Sequence, residues 1–155
     1  MTEANHLSFP SPIGALTIFT DGAALIALES GRAPDDGNPN ALLAEAKVQL
    51  NAYFDGRLTT FDLPLAPHGP KRRQEIWAAM CDVAYGETET YGEFAHRIQS
   101  APRAIGGACA ANPLPILIPC HRILGAGNTL AGYSFADGPD TKRQLLTLEG
   151  IHLAV

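Results

Sequence analysis

Three successive residues, Cys120-His121-Arg122, put a nucleophile, a base and a cation at one point of the chain. A thiol in such company can be held partly as thiolate, the form that attacks carbon. An isolated cysteine at the end of a core strand is the commoner case, and there it behaves as a small hydrophobe. The preceding residues argue for chemistry. Asn112-Pro113-Leu114-Pro115-Ile116-Leu117-Ile118-Pro119 is uncharged and holds three prolines within seven residues. Proline excludes a helix interior and pushes its predecessor from the helical region, so the segment is expected to be extended and buried. On an extended backbone adjacent side chains face opposite ways, which makes a direct Cys120–His121 bond awkward and a water-bridged relay more plausible.

The other two cysteines, Cys81 and Cys109, make no disulfide framework with Cys120, and a reducing cytoplasm fits best. No Cys-x-x-Cys or paired-histidine spacing suggests zinc, and Cys109, Cys120 and His121 are poorly spaced for a shared ion. No metal and no cofactor are expected. Cys81 is read as inert. There is no charged-then-apolar leader at the start and no apolar run of bilayer length, so no membrane association is expected.

The 155 residues carry 46% apolar and 17% charged side chains, the composition of a globular protein. Net charge is −5, but the acidity is uneven. Residues 1–70 hold three Lys/Arg against eight Asp/Glu, whereas residues 90–127 hold Arg97, Arg103 and Arg122 against Glu93 alone. A locally positive face permits contact with phosphates without indicating it.

The elements that must hold the cysteine follow from pattern. Leu16–Phe19 and Ala24–Leu28 flank Asp21-Gly22, a two-residue hairpin signal, and His6–Phe9 can add a strand. Residues 31–40 read as an exposed loop. Asn40 can cap a helix over 41–54, with Leu42, Leu43, Ala46, Leu50, Tyr53 and Phe54 as its apolar stripe. Pro64, Pro67, Gly69 and Pro70 mark a domain junction. A second helix is expected over 72–83, burying Ile76, Trp77, Met80 and Val83; Lys71-Arg72-Arg73 reads as its solvated start, with phosphate contact the alternative. Thr90-Tyr91-Gly92-Glu93 matches a capping box and starts a helix over 91–98. Pro102 suits the first position of a helix over 102–111, which Asn112-Pro113 must end. Two short helices joined by a three-residue turn make a helix-turn-helix. The second is built from Ala104, Gly106, Gly107, Ala108, Ala110 and Ala111, residues small enough for close approach to another helix or to a DNA groove.

The segment Asn-Pro-x-Pro-Ile-Leu-Ile-Pro-Cys-His-Arg at 112–122 resembles, almost letter for letter, the active-site segment of the O6-alkylguanine-DNA alkyltransferases (methylated-DNA–protein-cysteine methyltransferases). The similarity runs from about Leu42 to Gly150. It implies a small α/β, ribonuclease H-like N-terminal domain over 1–66. A mainly α winged-helix, helix-turn-helix C-terminal domain over 67–155 would bind DNA and carry the catalysis. It implies repair of double-stranded DNA containing O6-alkylguanine, with O4-alkylthymine a further candidate, by single-turnover transfer of the alkyl group to Cys120. Such a protein works as a cytoplasmic monomer without a cofactor.

The resemblance also implies residue roles. His121 acts as base through water, oriented by Glu149, which without the resemblance reads as a surface residue near a helix end. Tyr91 hydrogen-bonds the flipped guanine. Asn112 is a hinge between the recognition helix and the active-site segment. Arg103 fills the space the guanine leaves, on a groove-binding face with Ala104, Gly107 and Ala108. Arg122 is expected to pair with an acidic residue at the domain junction. Ile123, Tyr133 and Ser134 wall the alkyl pocket, where Phe135–Pro139 departs from the family pattern. The presence of Cys120 disfavours a non-catalytic lesion binder. The sparse base-reading groups on the small-residue helix disfavour a transcriptional regulator. A cysteine hydrolase would need a histidine in direct contact with the thiol.

Overall fold

The computed structural model describes residues 5–130 and 132–153. The chain divides into two compact units, Met1–His68 and Gly69–Val155, a division that falls within the proline-rich junction.

The first unit is a three-stranded antiparallel sheet with one helix. Strand β1 (Asn5–Phe9) pairs with β2 (Leu16–Thr20), which pairs with β3 (Leu25–Ser30). The β2–β3 connection spans four residues, not the expected two. Asp21 Oδ1 accepts from the amides of Ala23 and Ala24, both at 2.9 Å, and this Asx-type closure displaces the Asp-Gly turn. Helix α1 (Ala41–Phe54) begins where Asn40 accepts from the amide of Leu43 at 2.9 Å. It packs on β1 and β2 through Leu43, Ala46, Leu50, Tyr53 and Phe54, a helical spacing, while Leu42 is only half-buried. Leu16, Ile18, Leu25 and Leu28 complete this core, each side chain worth roughly 1.5–3 kcal/mol when fully buried.

The second unit is mainly helical. Helix α2 (Lys71–Met80) stops three residues before the expected Val83, which is nevertheless buried in the turn that follows. Strand β4 (Glu89–Thr90) leads into α3 (Tyr91–Arg97) through the capping box: Thr90 accepts from the Glu93 amide at 3.1 Å, and Glu93 accepts from the Thr90 amide at 2.8 Å. Helix α4 (Pro102–Ala110) has proline in its first turn and ends at Ala111, so α3 and α4 form the expected helix-turn-helix. Ile105 and Ala108 fix α4 against the interior, and Trp77 Nε1 donates to the Ala108 carbonyl at 2.9 Å. The unit also contains strand β5 (Ile123–Leu124), which pairs parallel to β4, and helix α5 (Pro139–Leu148).

The segment 112–122 is buried from Leu114 onward, but it is not extended. The Ile118 amide donates to the Leu114 carbonyl at 2.8 Å, closing a turn in which Ile116 has φ +75°. That is a costly conformation for a β-branched residue and requires the surrounding structure to impose it. Pro119 (φ −82°, ψ 62°) is the centre of an inverse γ-turn, with the Cys120 amide donating to the Ile118 carbonyl at 2.8 Å. Cys120–Arg122 then form one turn of 3₁₀ helix. The three prolines exclude an α-helix, as expected, but they also permit this compact alternative, because φ near −65° suits turns as well as strands.

Candidate active site

Three elements converge on the 3₁₀ turn. The β4–β5 ladder pairs Glu89 with Ile123 and Thr90 with Leu124, which brings Tyr91, at the start of α3, beside the residues that follow Cys120. Asn112, just past α4, organises the connecting segment with its whole amide. Oδ1 accepts from the Leu114 amide at 2.9 Å, and Nδ2 donates to the Ile118 carbonyl at 2.9 Å and to Cys120 Sγ at 3.2 Å. Helix α5 packs on the turn and delivers Glu149 at its C-cap.

Glu149 is 5% exposed and saturated with donors. Its Oε2 accepts from His121 Nε2 at 2.7 Å and from Arg122 Nη2 at 3.1 Å; its Oε1 accepts from Arg122 Nε at 2.8 Å and from the Gly86 amide at 3.3 Å. Arg122 also donates to the Val83 carbonyl at 2.8 Å. The acidic partner of Arg122 is therefore Glu149 within the second unit, correcting the expectation of a carboxylate at the domain junction. A charge pair this deep is tolerable only because nearly every donor and acceptor is matched.

His121 is wholly buried, and burial holds its pKa below the ordinary histidine value against the opposing pull of Glu149. With Nε2 donating to the carboxylate, the neutral tautomer leaves Nδ1 as an acceptor, buried without a protein partner among the described residues. Cys120 and His121 make no hydrogen bond to each other. The reason differs from the one expected: successive residues of a 3₁₀ turn diverge by about 120°, sending the thiol toward Asn112 and the imidazole toward Glu149.

Cys120 is 4% exposed, yet its thiol is held below the ordinary cysteine value. The Cys109 thiol lying against it contributes most, followed by the Asn112 amide and the Lys142 charge, which together outweigh burial. Cys109 itself is pushed strongly upward by that same contact and by burial, so the two thiols titrate together rather than independently. Tyr91 is half-buried, its phenol raised by desolvation and by the neighbouring Cys109. A Cβ at Gly132 (φ +76°) would stand 2.7 Å from the Tyr91 hydroxyl, so the chain passes close enough there to require glycine.

Lys142 and Cys109 are site residues that sequence pattern did not single out. Lys142 is 1% exposed, and its Nζ donates to the Ile123 carbonyl at 2.6 Å, 5.9 Å from the Tyr133 ring. A signal was present: Lys142, Leu145, Leu146 and Glu149 follow the i, i+3, i+4, i+7 spacing of one helix face, so a buried α5 stripe had to begin and end in charge. Cys109 had a weaker one, three residues before Asn112 on α4.

The remaining expected site residues divide between the surroundings of Lys142, where Ile123 and Tyr133 lie, and helix α4. Ile123 is fully buried, and Tyr133 is 8% exposed, with a buried hydroxyl that has no partner among the described residues; Ser134 is exposed beside it. On α4, Arg103 and Ala104 are exposed and Gly107 is half-buried. Ala108, counted with that face in the sequence, is 1% exposed and packed inward, because position 108 shares the buried stripe of Ile105. Among the described residues no group of three or more His, Cys, Asp or Glu is placed to hold a metal ion, and no helix is long and apolar enough to cross a membrane.

Two family models match the chain: the ribonuclease-like domain of 6-O-methylguanine DNA methyltransferase over residues 7–67, and the DNA binding domain of the same family over residues 71–151. The methylated-DNA–protein-cysteine methyltransferase of Haemophilus influenzae is 39% identical over 161 residues, covering 97% of this chain and 89% of its own. The protein of the same name from Methanosarcina acetivorans is 42% identical over 151 residues, covering 92% and 96%. Among solved structures, Mycobacterium tuberculosis OGT in complex with DNA superposes with a TM-score of 0.83 at 41% identity, covering 93% of this chain and 91% of that one. The chain belongs to the 6-O-methylguanine DNA methyltransferase family.

Proposed function

We propose that this protein repairs double-stranded DNA by transferring the alkyl group of O6-alkylguanine, once per molecule, to Cys120. The observation that carries the reading is the buried Cys120 thiol, which accepts from Asn112 Nδ2 at 3.2 Å beside the His121–Glu149–Arg122 network. Thiolate is a soft nucleophile suited to in-line attack on an sp³ carbon. The new S–C bond forms as the C–O bond breaks, and the electron pair leaves with the guanine oxygen. The departing base gains a proton or hydrogen bond from the Tyr91 phenol, which burial keeps protonated. His121 takes the thiol proton through a bridging water at Nδ1, while Glu149 holds the imidazole in the tautomer that leaves Nδ1 free to accept. Asn112 positions the sulfur. No group in the site is arranged to hydrolyse a thioether, so the alkylated protein is the end product.

The small face of α4 around Ala104 and Gly107 admits close approach to the minor groove, and exposed Arg103 occupies the space vacated by the extruded guanine. Ile123, Tyr133 and Ser134 line the alkyl pocket. The protein acts as a monomer, with O4-alkylthymine as a further candidate substrate. Mixing the protein with a duplex holding one O4-methylthymine tests this extension; an unmodified Cys120 overturns it.

A further inference from the structure

The site holds a second thiol that alkyl transfer does not consume. Cys109, on α4, and Cys120, on the 3₁₀ turn, have their side chains in hydrogen-bonding contact. Asn112 ties the two together: its backbone amide donates to the Cys109 carbonyl at 3.3 Å, and its Nδ2 donates to Cys120 Sγ at 3.2 Å. Cys109 is half-buried and Cys120 is buried, so Cys109 is the outer member of the pair. The third cysteine, Cys81, is exposed at the C-cap of α2, beside Asp82 and Arg122. A nucleophile that works once cannot be replaced, and oxidation beyond the sulfenic acid would end its use as surely as alkylation does.

We propose that Cys109 is a resolving cysteine, through which hydrogen peroxide converts the pair to a Cys109–Cys120 disulfide that stores the nucleophile reversibly. The inference rests on Cys120 as the alkyl acceptor and gives that sulfur a second fate. One sulfur of the pair, as thiolate, attacks a peroxide oxygen. The O–O bond breaks, and the departing hydroxide takes up the thiol's proton to leave as water. The neighbouring sulfur then attacks the sulfenic acid, and its own proton leaves with the displaced hydroxyl as a second water. Two thiols lose two electrons, and one peroxide is reduced to two waters. Contact favours this second step, because a neighbouring sulfur competes at an effective concentration that dissolved peroxide cannot match. Alkyl transfer stops while the disulfide lasts and resumes when a dithiol reduces it.

The test treats the full chain with hydrogen peroxide, without DNA, and maps it by mass under non-reducing conditions. Trypsin cuts after Arg103 and Arg122 and nowhere between, so both cysteines fall in one peptide, 104–122. In wild type that peptide should lose two hydrogen atoms, and Cys81→Ser should behave in the same way. Dithiothreitol should then restore the alkyl uptake measured before treatment. In Cys109→Ala and Cys109→Ser, Cys120 should instead gain two or three oxygen atoms, the sulfinic and sulfonic acids that dithiothreitol does not reduce. Each variant should therefore lose its own starting transfer for good. Should both variants fail to fold, the wild-type map decides alone. A wild-type Cys120 that gains oxygen without a link, a link that runs through Cys81, or variants that recover as fully as wild type overturns the proposal. The link is read without DNA. A protein that forms it yet takes up no alkyl group would contradict the repair reaction and leave the disulfide standing.

Discussion

The two units bury polar groups in opposite ways. In the first, the buried polar side chains among the described residues are two threonines, each satisfied within its own sheet or turn: Thr17 donates to the Gly31 carbonyl at 2.7 Å and Thr20 to the Ala24 carbonyl at 2.6 Å. In the second, His121, Arg122, Lys142 and Glu149 are all buried, drawn from the 3₁₀ turn and from two ends of α5. Neutral hydroxyls bonded locally cost little, whereas buried charges need partners from distant parts of the chain. The first pattern is what folding alone asks for. The second concentrates expensive groups around one sulfur, and that is where a reaction is supported.

The contrast can be broken most forcefully at Glu149. Glu149→Ala leaves the buried Arg122 uncompensated and should destabilise the protein by about 3–5 kcal/mol, as removal of one partner from a buried pair does. Chemical denaturation measures it, and a drop in stability below about 1 kcal/mol, the range of exposed pairs, would show that the network is solvated after all. Asn112→Ala removes three hydrogen bonds that hold residues 114–120. Stability should fall by about 1–3 kcal/mol, and single-turnover transfer should slow by more than tenfold in the protein that remains folded.

A finer test separates the thiols. The transfer rate should rise with pH through the Cys120 ionisation, at a pH below that of an ordinary cysteine. Cys109→Ala removes the largest contribution and should move that rise upward, and Cys109→Ser should restore part of it. Identical profiles for wild type and Cys109→Ala would show that Cys109 has no part in activating the nucleophile. His121 gives a stability counterpart. Its folded pKa lies below the unfolded value near 6.5, so the unfolded chain binds the extra proton, and stability is lost as pH falls below about 6.5. His121→Gln should flatten that acid limb. The smallest effect belongs to the first unit: Asn40→Ala should cost about 1 kcal/mol through loss of the α1 cap, with transfer per folded molecule unchanged.

Legibility in the sequence followed the same divide. Asn40, the stripe from Leu43 to Phe54 and the Thr90–Glu93 capping box each act over a few residues, and each produced the element it signalled. The helix-turn-helix was readable for the same reason. The backbone of 112–122 was not, because its γ-turn and the positive φ of Ile116 are imposed by Asn112 and by packing rather than by local preference. Cys109 and Lys142 enter through tertiary proximity to Cys120, which spacing alone cannot supply, although the α5 stripe put Lys142 and Glu149 on one face. Ala108 was misplaced because a small residue suits a groove-binding face and a tightly packed one equally well.

The identity of the sulfur that carries the alkyl group decides the mechanism. Intact mass and peptide mapping, after mixing the protein with a duplex holding one O6-methylguanine, answer this directly. The expected result is a stoichiometric gain of one CH₂ unit on Cys120, none on Cys81 or Cys109, and none anywhere in Cys120→Ser. A gain on Cys109, or lesion-specific binding without any gain, would contradict the assignment of Cys120 as the nucleophile.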